Sequence, residues 1–305
     1  MLSYEDKVDF AIKLIRSIPQ DGPIELAYSG GKDSDIILQL SREAGVDVDA
    51  IYRNTTVDPP GTHRHCEEMG VRIRKPDTTM FKIIEKSGPP TRRARFCCSQ
   101  LKEFKIHDRC ILGIRRAESK AREDRYKEPE VCRVYSKNVR VRQYLPILDW
   151  TNEDVERFIK ERGLKCHPLY YDSEGRFHVE RRLGCIGCPM SQRGCIEDFI
   201  AYPKMLALWI KYVRKWRNSH PDAMSISKFR DEYDQMYGNI FCKSYKDYTD
   251  RITIPIYPIG TKDCTSWVER YFHVDRHNIP KFPNKDYMLD TKLFMEDYFG
   301  IKFEE

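Results

Sequence analysis

The stretch Ile24-Glu25-Leu26-Ala27-Tyr28-Ser29-Gly30-Gly31-Lys32-Asp33-Ser34 limits what this chain can become more than any other. Its first five residues are mostly apolar and predict a buried strand. From Ser34 to Ala44, Ile36, Ile37, Leu38 and Leu40 recur at helical spacing, and Gly45 stands where a helix stops. Between strand and helix lies a tight turn whose glycines, Gly30 and Gly31, allow positive φ and close backbone approach to a ligand. The first N–H groups of the helix point unpaired above that turn, where the dipole favours an anion. Lys32 adds a mobile positive charge, and Ser29 and Ser34 add hydroxyls. These residues predict a phosphate cradle; the plainer alternative is a glycine-rich turn that binds nothing.

A Walker A loop needs four residues between its first glycine and its Gly-Lys-Ser/Thr, which excludes that motif here. The stretch instead resembles, at all six positions, the Ser-Gly-Gly-x-Asp-Ser pyrophosphate loop of the ATP pyrophosphatase superfamily. That resemblance implies cleavage of ATP between its α and β phosphates, with AMP left on an activated substrate. In the same superfamily ribose or base contacts are made where Thr55 and Thr56 stand. Here they follow a second predicted strand, Val46 to Tyr52, at the strand end where open α/β sheets bind ligands.

Residues 4–18 predict a first helix from Val8, Ala11, Ile12 and Ile15. Further along come a short strand at 71–74, a short helix at 78–86 and a buried strand from Arg109 to Ile114. The highly charged residues 123–140 show little periodicity and predict a mobile loop. A helix capped by Thr151, with Asp154 three residues on, follows Trp150 and closes at Gly163. From Ile196 to Trp216 the helical period returns, with Pro203 expected to kink or split it. The mix of aromatic and basic residues from Trp209 to Arg217 suits either a nucleic-acid backbone or a buried aromatic face. His63, His65, His107 and His167 show no ligand spacing and are expected to be ordinary surface or core residues.

The 305 residues suffice for one large α/β domain with an appendage, divided here as residues 1–195 and an accessory region 196–305. Hydrophobic residues make up 40% and charged residues 33%, which excludes a disordered chain. No apolar run reaches membrane-spanning length and no signal-peptide core is present, so the expected location is the cytosol. A net charge of +6 suits anionic nucleotides and is compatible with nucleic acid. The odd count of eleven cysteines argues against a disulfide framework in that compartment and raises metal binding or thiol chemistry.

Four of those cysteines form a pattern: Cys97-Cys98, a long gap, then Cys185-x-x-Cys188 followed by Pro189. The set suits tetrahedral zinc or an iron–sulfur cube, and the adjacent pair favours the cube slightly. With the loop, it resembles the iron–sulfur branch of the phosphoadenosine/adenosine phosphosulfate reductases over roughly residues 20–195. The resemblance implies a mostly parallel twisted sheet with helices on both faces, the fold of the adenine nucleotide alpha hydrolases. It implies a 4Fe-4S cluster on Cys97, Cys98, Cys185 and Cys188, with zinc as the lesser option, and a catalytic role for Lys102 near the cluster. It also implies nucleotide contacts from Gly113-x-Arg115-x-x-Glu118-Ser119-x-x-Arg122, whose arginines would otherwise cover a solvated loop. Arg92, Arg93 and Arg95 divide between a phosphate site and a surface run.

Two departures mark the chain off from those reductases. It lacks their late Glu-Cys-Gly-Leu/Ile-His segment, Cys264 being the nearest cysteine by position, and its loop keeps a Gly-Gly-Lys character that they have usually lost. The expectation is therefore AMP-forming ATP activation linked to sulfur transfer onto an acceptor such as nucleic acid, with a sulfur donor as partner. Lys32, Asp33, Lys102 and Arg115 would be the catalytic residues, and Mg²⁺ would sit on the pyrophosphate near Asp33. The alternatives are reduction of an adenylyl sulfate with an external thiol reductant or Cys264, and a nucleotide-binding subunit without turnover.

Overall fold

A computed structural model describes residues 2–90, 95–136, 139–191, 198 and 201–219. In chain order its elements are α1 (Tyr4–Arg16), β1 (Ile24–Tyr28), α2 (Lys32–Ala44), β2 (Asp49–Arg53), α3 (Thr62–Glu68), β3 (Arg72–Arg74), α4 (Met80–Ser87) and α5 (Phe96–Leu101). There follow β4 (Arg109–Ile111), α6 (Lys120–Arg125), β5 (Glu130–Ser136), β6 (Val139–Tyr144), α7 (Asn152–Arg162) and α8 (Pro203–Ser219). They fall into two compact units, Met1–Asp77 with Gln100–Leu183, and Thr78–Ser99 with the residues from Gly184 onward. The second unit takes up 78–99 as well as the chain from Gly184, a grouping that a linear reading has no means to show.

The first unit is built on a six-stranded sheet in the order β3-β2-β1-β4-β6-β5. All neighbours run parallel except β5, which pairs antiparallel with β6. The expected α/β architecture is therefore present. The chain steps outward from β1 through β2 to β3, then crosses back so that β4 lies on the other side of β1. That reversal makes the gap between the C-terminal ends of β1 and β4 a topological switch point, where the two connecting loops diverge and leave a crevice. Leu26 is in register with Ala50 on one side and Ile111 on the other.

The core is apolar where periodicity requires it. Ile15, Leu26, Ile36, Ile37, Leu40, Tyr144 and Phe158 are buried in one cluster. Glu25 breaks the pattern: it is fully buried in β1, and Arg53 at the end of β2 meets it with two hydrogen bonds of 2.5 and 2.9 Å. A carboxylate there is tolerable because its charge is paired.

Two capping boxes start the outer helices. Ser3 and Asp6 satisfy the first N–H groups of α1, and Thr151 and Asp154 do the same for α7. Asp154 has a second partner, the Lys7 ammonium at 2.5 Å, and both side chains are about nine-tenths buried. Burial pushes the Asp154 carboxyl up, but Lys7 and the Thr151 backbone more than offset this and hold it below the usual carboxylate range. Asp154→Asn keeps the shape and strands the Lys7 ammonium, so it is expected to cost about 3 kcal/mol in urea unfolding. Adding Lys7→Met is expected to recover most of that loss; no recovery would show that the ion pair is not what the cap region relies on.

The mobile loop expected at 123–140 is instead helix α6 and most of a β-hairpin. Cys132 pairs with Arg142, Arg133 with Val141 and Val134 with Arg140. Val141 is fully buried while Arg142 and Val134 stay exposed. The alternation is of period two, and charged residues on the solvent face hide it from a search for helical spacing. Among the described residues Asp198 and Ala201 are helical and Tyr202 is not. Helix α8 begins at Pro203, where a missing N–H costs nothing, so the helical run is split there as expected.

In the second unit α4 and α8 lie against each other. Phe81 stacks on Tyr212 with ring centres 5.2 Å apart, Trp209 and Trp216 are buried, and Lys211 and Lys215 face solvent. The buried-aromatic alternative therefore holds for the described side chains of this helix. Among the described residues no helix is long and apolar enough to cross a membrane.

Candidate functional site

The turn after β1 is shaped by its own hydroxyls. Gly31 caps α2, and its carbonyl accepts from the Ser34 N–H at 2.8 Å and from the Ser34 hydroxyl at 2.6 Å. The Gly31 N–H in turn donates to the Ser29 hydroxyl at 3.3 Å. Both serines thus hold the turn open rather than standing free in it. Gly30 has a φ of +79°, and a Cβ there would meet the Thr62 methyl at 2.9 Å. The position is closed to any other residue by conformation and by space.

Lys32 and Asp33 open α2, and both are drawn into the crevice. Lys32 is 3% exposed, with its ammonium 3.4 Å from Asp33 and 3.2 Å from the carbonyl of Arg181, which accepts a hydrogen bond from it. Burial lowers its pKa, and Arg115 and Arg182 lower it further against the pull of Asp33. Across the switch point, the chain leaving β4 comes so near that a Cβ on Gly113 would lie 2.8 Å from the Asp33 carbonyl. Two residues on, Arg115 donates to Asp33 Oδ1 at 2.7 Å and to Asn152 Oδ1 at 3.1 Å, and is itself 2% exposed. One carboxylate therefore joins the loop after β1 to the loop after β4.

Glu118 pairs with Arg122 and accepts from the Arg115 N–H, while Ser119 caps α6 by accepting from the Arg122 N–H at 3.3 Å. These two residues build the arginine-bearing turn. Thr55 is buried after β2, its N–H donating to Asp58, and Thr56 has a φ of +66°. The structure thus brings Ser29, Gly30, Gly31, Lys32, Asp33, Ser34 and Arg115 together, with Glu118, Ser119 and Arg122 on the same turn. Thr55 and Thr56 stand at the end of the neighbouring strand. Lys102 is exposed just past α5.

Behind the turn lies a buried polar network that the spacing of histidines gave no sign of. Asp35 is fully buried in α2 and accepts from the Tyr28 hydroxyl and from His65 at 3.0 Å. Burial pushes its carboxyl up. The His65 ring meets the fully buried His167 edge-on at 5.9 Å. The one legible signal was Asp35 itself, a charge on the apolar face of an otherwise regular helix. His167 has its pKa lowered to about 4, first by burial and then by His65. An unfolded histidine takes up a proton near 6.5, so this site favours folding fully above that pH and progressively less down to about 4. His167→Gln is expected to flatten the fall in urea stability between pH 6.5 and 4.5, by at most about 3 kcal/mol; an unchanged profile would exclude this origin.

The four patterned cysteines all fall in the second unit. The Cys188 N–H donates to the Cys185 carbonyl at 3.2 Å, closing the turn between them, and the Gly187 N–H donates to Asp198 at 3.3 Å. Arg95 donates to the Cys98 sulfur at 3.5 Å. The Cys97 thiol is pushed well up, first by its hydrogen bond with Cys98, then by burial and the fields of Cys98, Cys185 and Cys188. Cys97 thus feels the other three thiols, although among the described residues no group of three or more His, Cys, Asp or Glu side chains is arranged to hold a metal ion. Arg92, Arg93, Cys195, Cys264 and the region beyond residue 219 lie outside the described residues.

Residues 23–191 match the phosphoadenosine phosphosulfate reductase domain. The chain is 34% identical over 183 residues to the phosphoadenosine 5'-phosphosulfate reductase of Alkalilimnicola ehrlichii, covering 53% of this chain and 72% of that enzyme. It is 26% identical over 217 residues to an uncharacterized protein of Methanocaldococcus jannaschii, covering 65% of this chain and 43% of that protein. The chain spans less than half the length of the archaeal and phage relatives it matches. Among solved structures, the phosphoadenylyl-sulfate reductase of Candida auris in its phosphate complex aligns with a TM-score of 0.39 and 16% identity, over 57% of this chain and 95% of that one. With a match over more than half its length, the chain belongs to the phosphoadenosine phosphosulfate reductase domain family.

Proposed function

We propose that this protein is a pyrophosphate-loop enzyme that activates an acceptor with ATP, forming AMP and pyrophosphate, in the service of sulfur transfer. The observation that carries the reading is the Asp33–Arg115 contact of 2.7 Å at the switch point. It sets the start of α2, with Lys32, against an arginine turn, with Arg122, so that a polyanion between them meets fixed positive charge from both sides. As an acceptor atom attacks the α-phosphorus and the α–β bridge breaks, the pyrophosphate gathers negative charge. Lys32 and the N-terminus of α2 are already in place to receive it, so little reorganisation is needed. Asp33 is already paired with Lys32 and Arg115, so Mg²⁺ in this reading would be held chiefly by the nucleotide's own oxygens, with Asp33 as the nearby carboxylate.

The chemistry of the donor set fits a thiolate-held centre. The Cys97 thiol is pushed up by its hydrogen bond with Cys98, by burial and by the fields of Cys98, Cys185 and Cys188, and a cation that draws off its proton reverses that penalty. Cys97, Cys98, Cys185 and Cys188 would hold a 4Fe-4S cluster, with zinc the lesser option, and the cluster, with a cysteine on each iron, would supply redox or electrostatic chemistry. Nucleic acid is the acceptor class that the basic composition suits best.

Reduction of an adenylyl sulfate is the second reading, favoured by the 34% identity to a reductase. Anaerobically purified protein separates the two when incubated with ATP and, separately, with adenylyl sulfate plus a dithiol. Pyrophosphate and AMP from ATP in the presence of acceptor are expected; sulfite from adenylyl sulfate with ATP untouched would replace the first reading by the second.

A further inference from the structure

The segment from Pro168 to Leu183 closes the crevice from a side that no motif covers. It is fixed within itself: Tyr171 bridges to Phe177, Asp172 pairs with His178 at 3.0 Å, and Arg181 donates to the carbonyls of Leu169 and Tyr171 at 3.2 and 2.8 Å. Its two ends are therefore tied to each other, and the segment rests on the phosphate turn. The Lys32 ammonium donates to the Arg181 carbonyl at 3.2 Å and lies 5.0 Å from the centre of the Tyr170 ring. The Tyr170 hydroxyl sits 3.1 Å from where a Cβ on Gly31 would stand, and Leu183 packs against both glycines.

Arg182, between these contacts, faces the other half of the crevice. Its guanidinium donates to the carbonyl of Glu118, inside the turn that carries Arg115 and Arg122. Four cations, Lys32, Arg115, Arg122 and Arg182, then share the region with two carboxylates, Asp33 and Glu118. Lys32 and Arg115 are almost wholly buried, so the uncompensated positive charge is partly desolvated, which is costly until an anion completes it. The field of Arg182 reaches both ends of the group, helping to hold Lys32 and Arg122 below their ordinary pKa.

We propose that Arg182 is a direct ligand of the substrate's acid-anhydride polyanion, completing from the 168–183 segment a site whose other cations come from the loops after β1 and β4. The inference rests on the nucleotide reading above. The shared chemistry is a phosphoanhydride-type polyanion, whether the pyrophosphate arm of ATP or the phosphate–sulfate arm of adenylyl sulfate.

The test is equilibrium binding of ATP with Mg²⁺, adenylyl sulfate and AMP to the full chain and to Arg182→Gln, Arg182→Lys and Lys32→Ala. Glutamine can still donate to the Glu118 carbonyl but carries no charge, so a merely structural arginine would be rescued by it. Arg182→Gln is expected to weaken the anhydride ligand by about tenfold or more. It is expected to leave AMP within about twofold, with Arg182→Lys close to wild type. Whichever of ATP and adenylyl sulfate suffers the loss is the source of the polyanion. Wild-type affinity of Arg182→Gln for both, alongside a loss in Lys32→Ala, overturns the role of Arg182 alone. Unchanged binding in Lys32→Ala overturns the nucleotide reading with it.

Discussion

Lys32→Ala is expected to lower nucleotide turnover by about 10²–10³-fold, the usual cost of removing one fixed donor aimed at developing charge. Its effect on stability should be small or even favourable. Lys32 is 3% exposed with its pKa lowered by burial, so the folded protein bears the cost of hiding an ammonium. Asp33, the partner it would leave behind, keeps Arg115 at 2.7 Å. Arg115→Ala should behave differently. Arg115 is 2% exposed and also holds Asn152 and the Trp150 carbonyl, so its loss strands several buried acceptors at once. About 3 kcal/mol of stability should go with the activity. Denaturation midpoints and turnover measured on both variants check the pair. A large stability loss in Lys32→Ala with turnover intact would show that the lysine serves the fold and not the anion.

The second large effect concerns the thiols. Cys185→Ser, made in full-length protein and purified without oxygen, is expected to reduce bound iron and sulfide to near zero and to remove absorbance near 400 nm. Cys66→Ser should leave both unchanged, because that thiol is buried in the other unit and is pushed up to about 12 by burial and Asp35. A one-to-one zinc content in wild type, without iron, would select the other metal. Folded wild-type protein with neither metal would remove the inorganic centre from the account.

How much of this was open to reading depends on how local the physics is. The turn from β1 into α2 was legible because strand, glycines, lysine and helix start are consecutive, and each favours the same conformation. The arginine turn was legible only through resemblance. Nothing local says that Arg115 reaches Asp33, because the approach depends on β4 returning beside β1 and on Gly113 letting the two loops touch. The hairpin was missed because Arg140 and Arg142 occupy alternate positions, and a charged strand with one wet face looks like a loop when helical spacing is sought. His167 and Arg182 escaped for another reason. Each acts through partners far along the chain, and a buried polar contact leaves no periodic mark.

The central claim is that a nucleotide's anhydride group lies between the start of α2 and the turn after β4. Hydrogen–deuterium exchange of the full chain with and without ATP tests it most directly. The expected result is slowed exchange at residues 29–35 and 112–122, with the hairpin at 130–144 unaffected. Nucleotide binding that leaves both segments exchanging as before, while protecting another part of the chain, would contradict it.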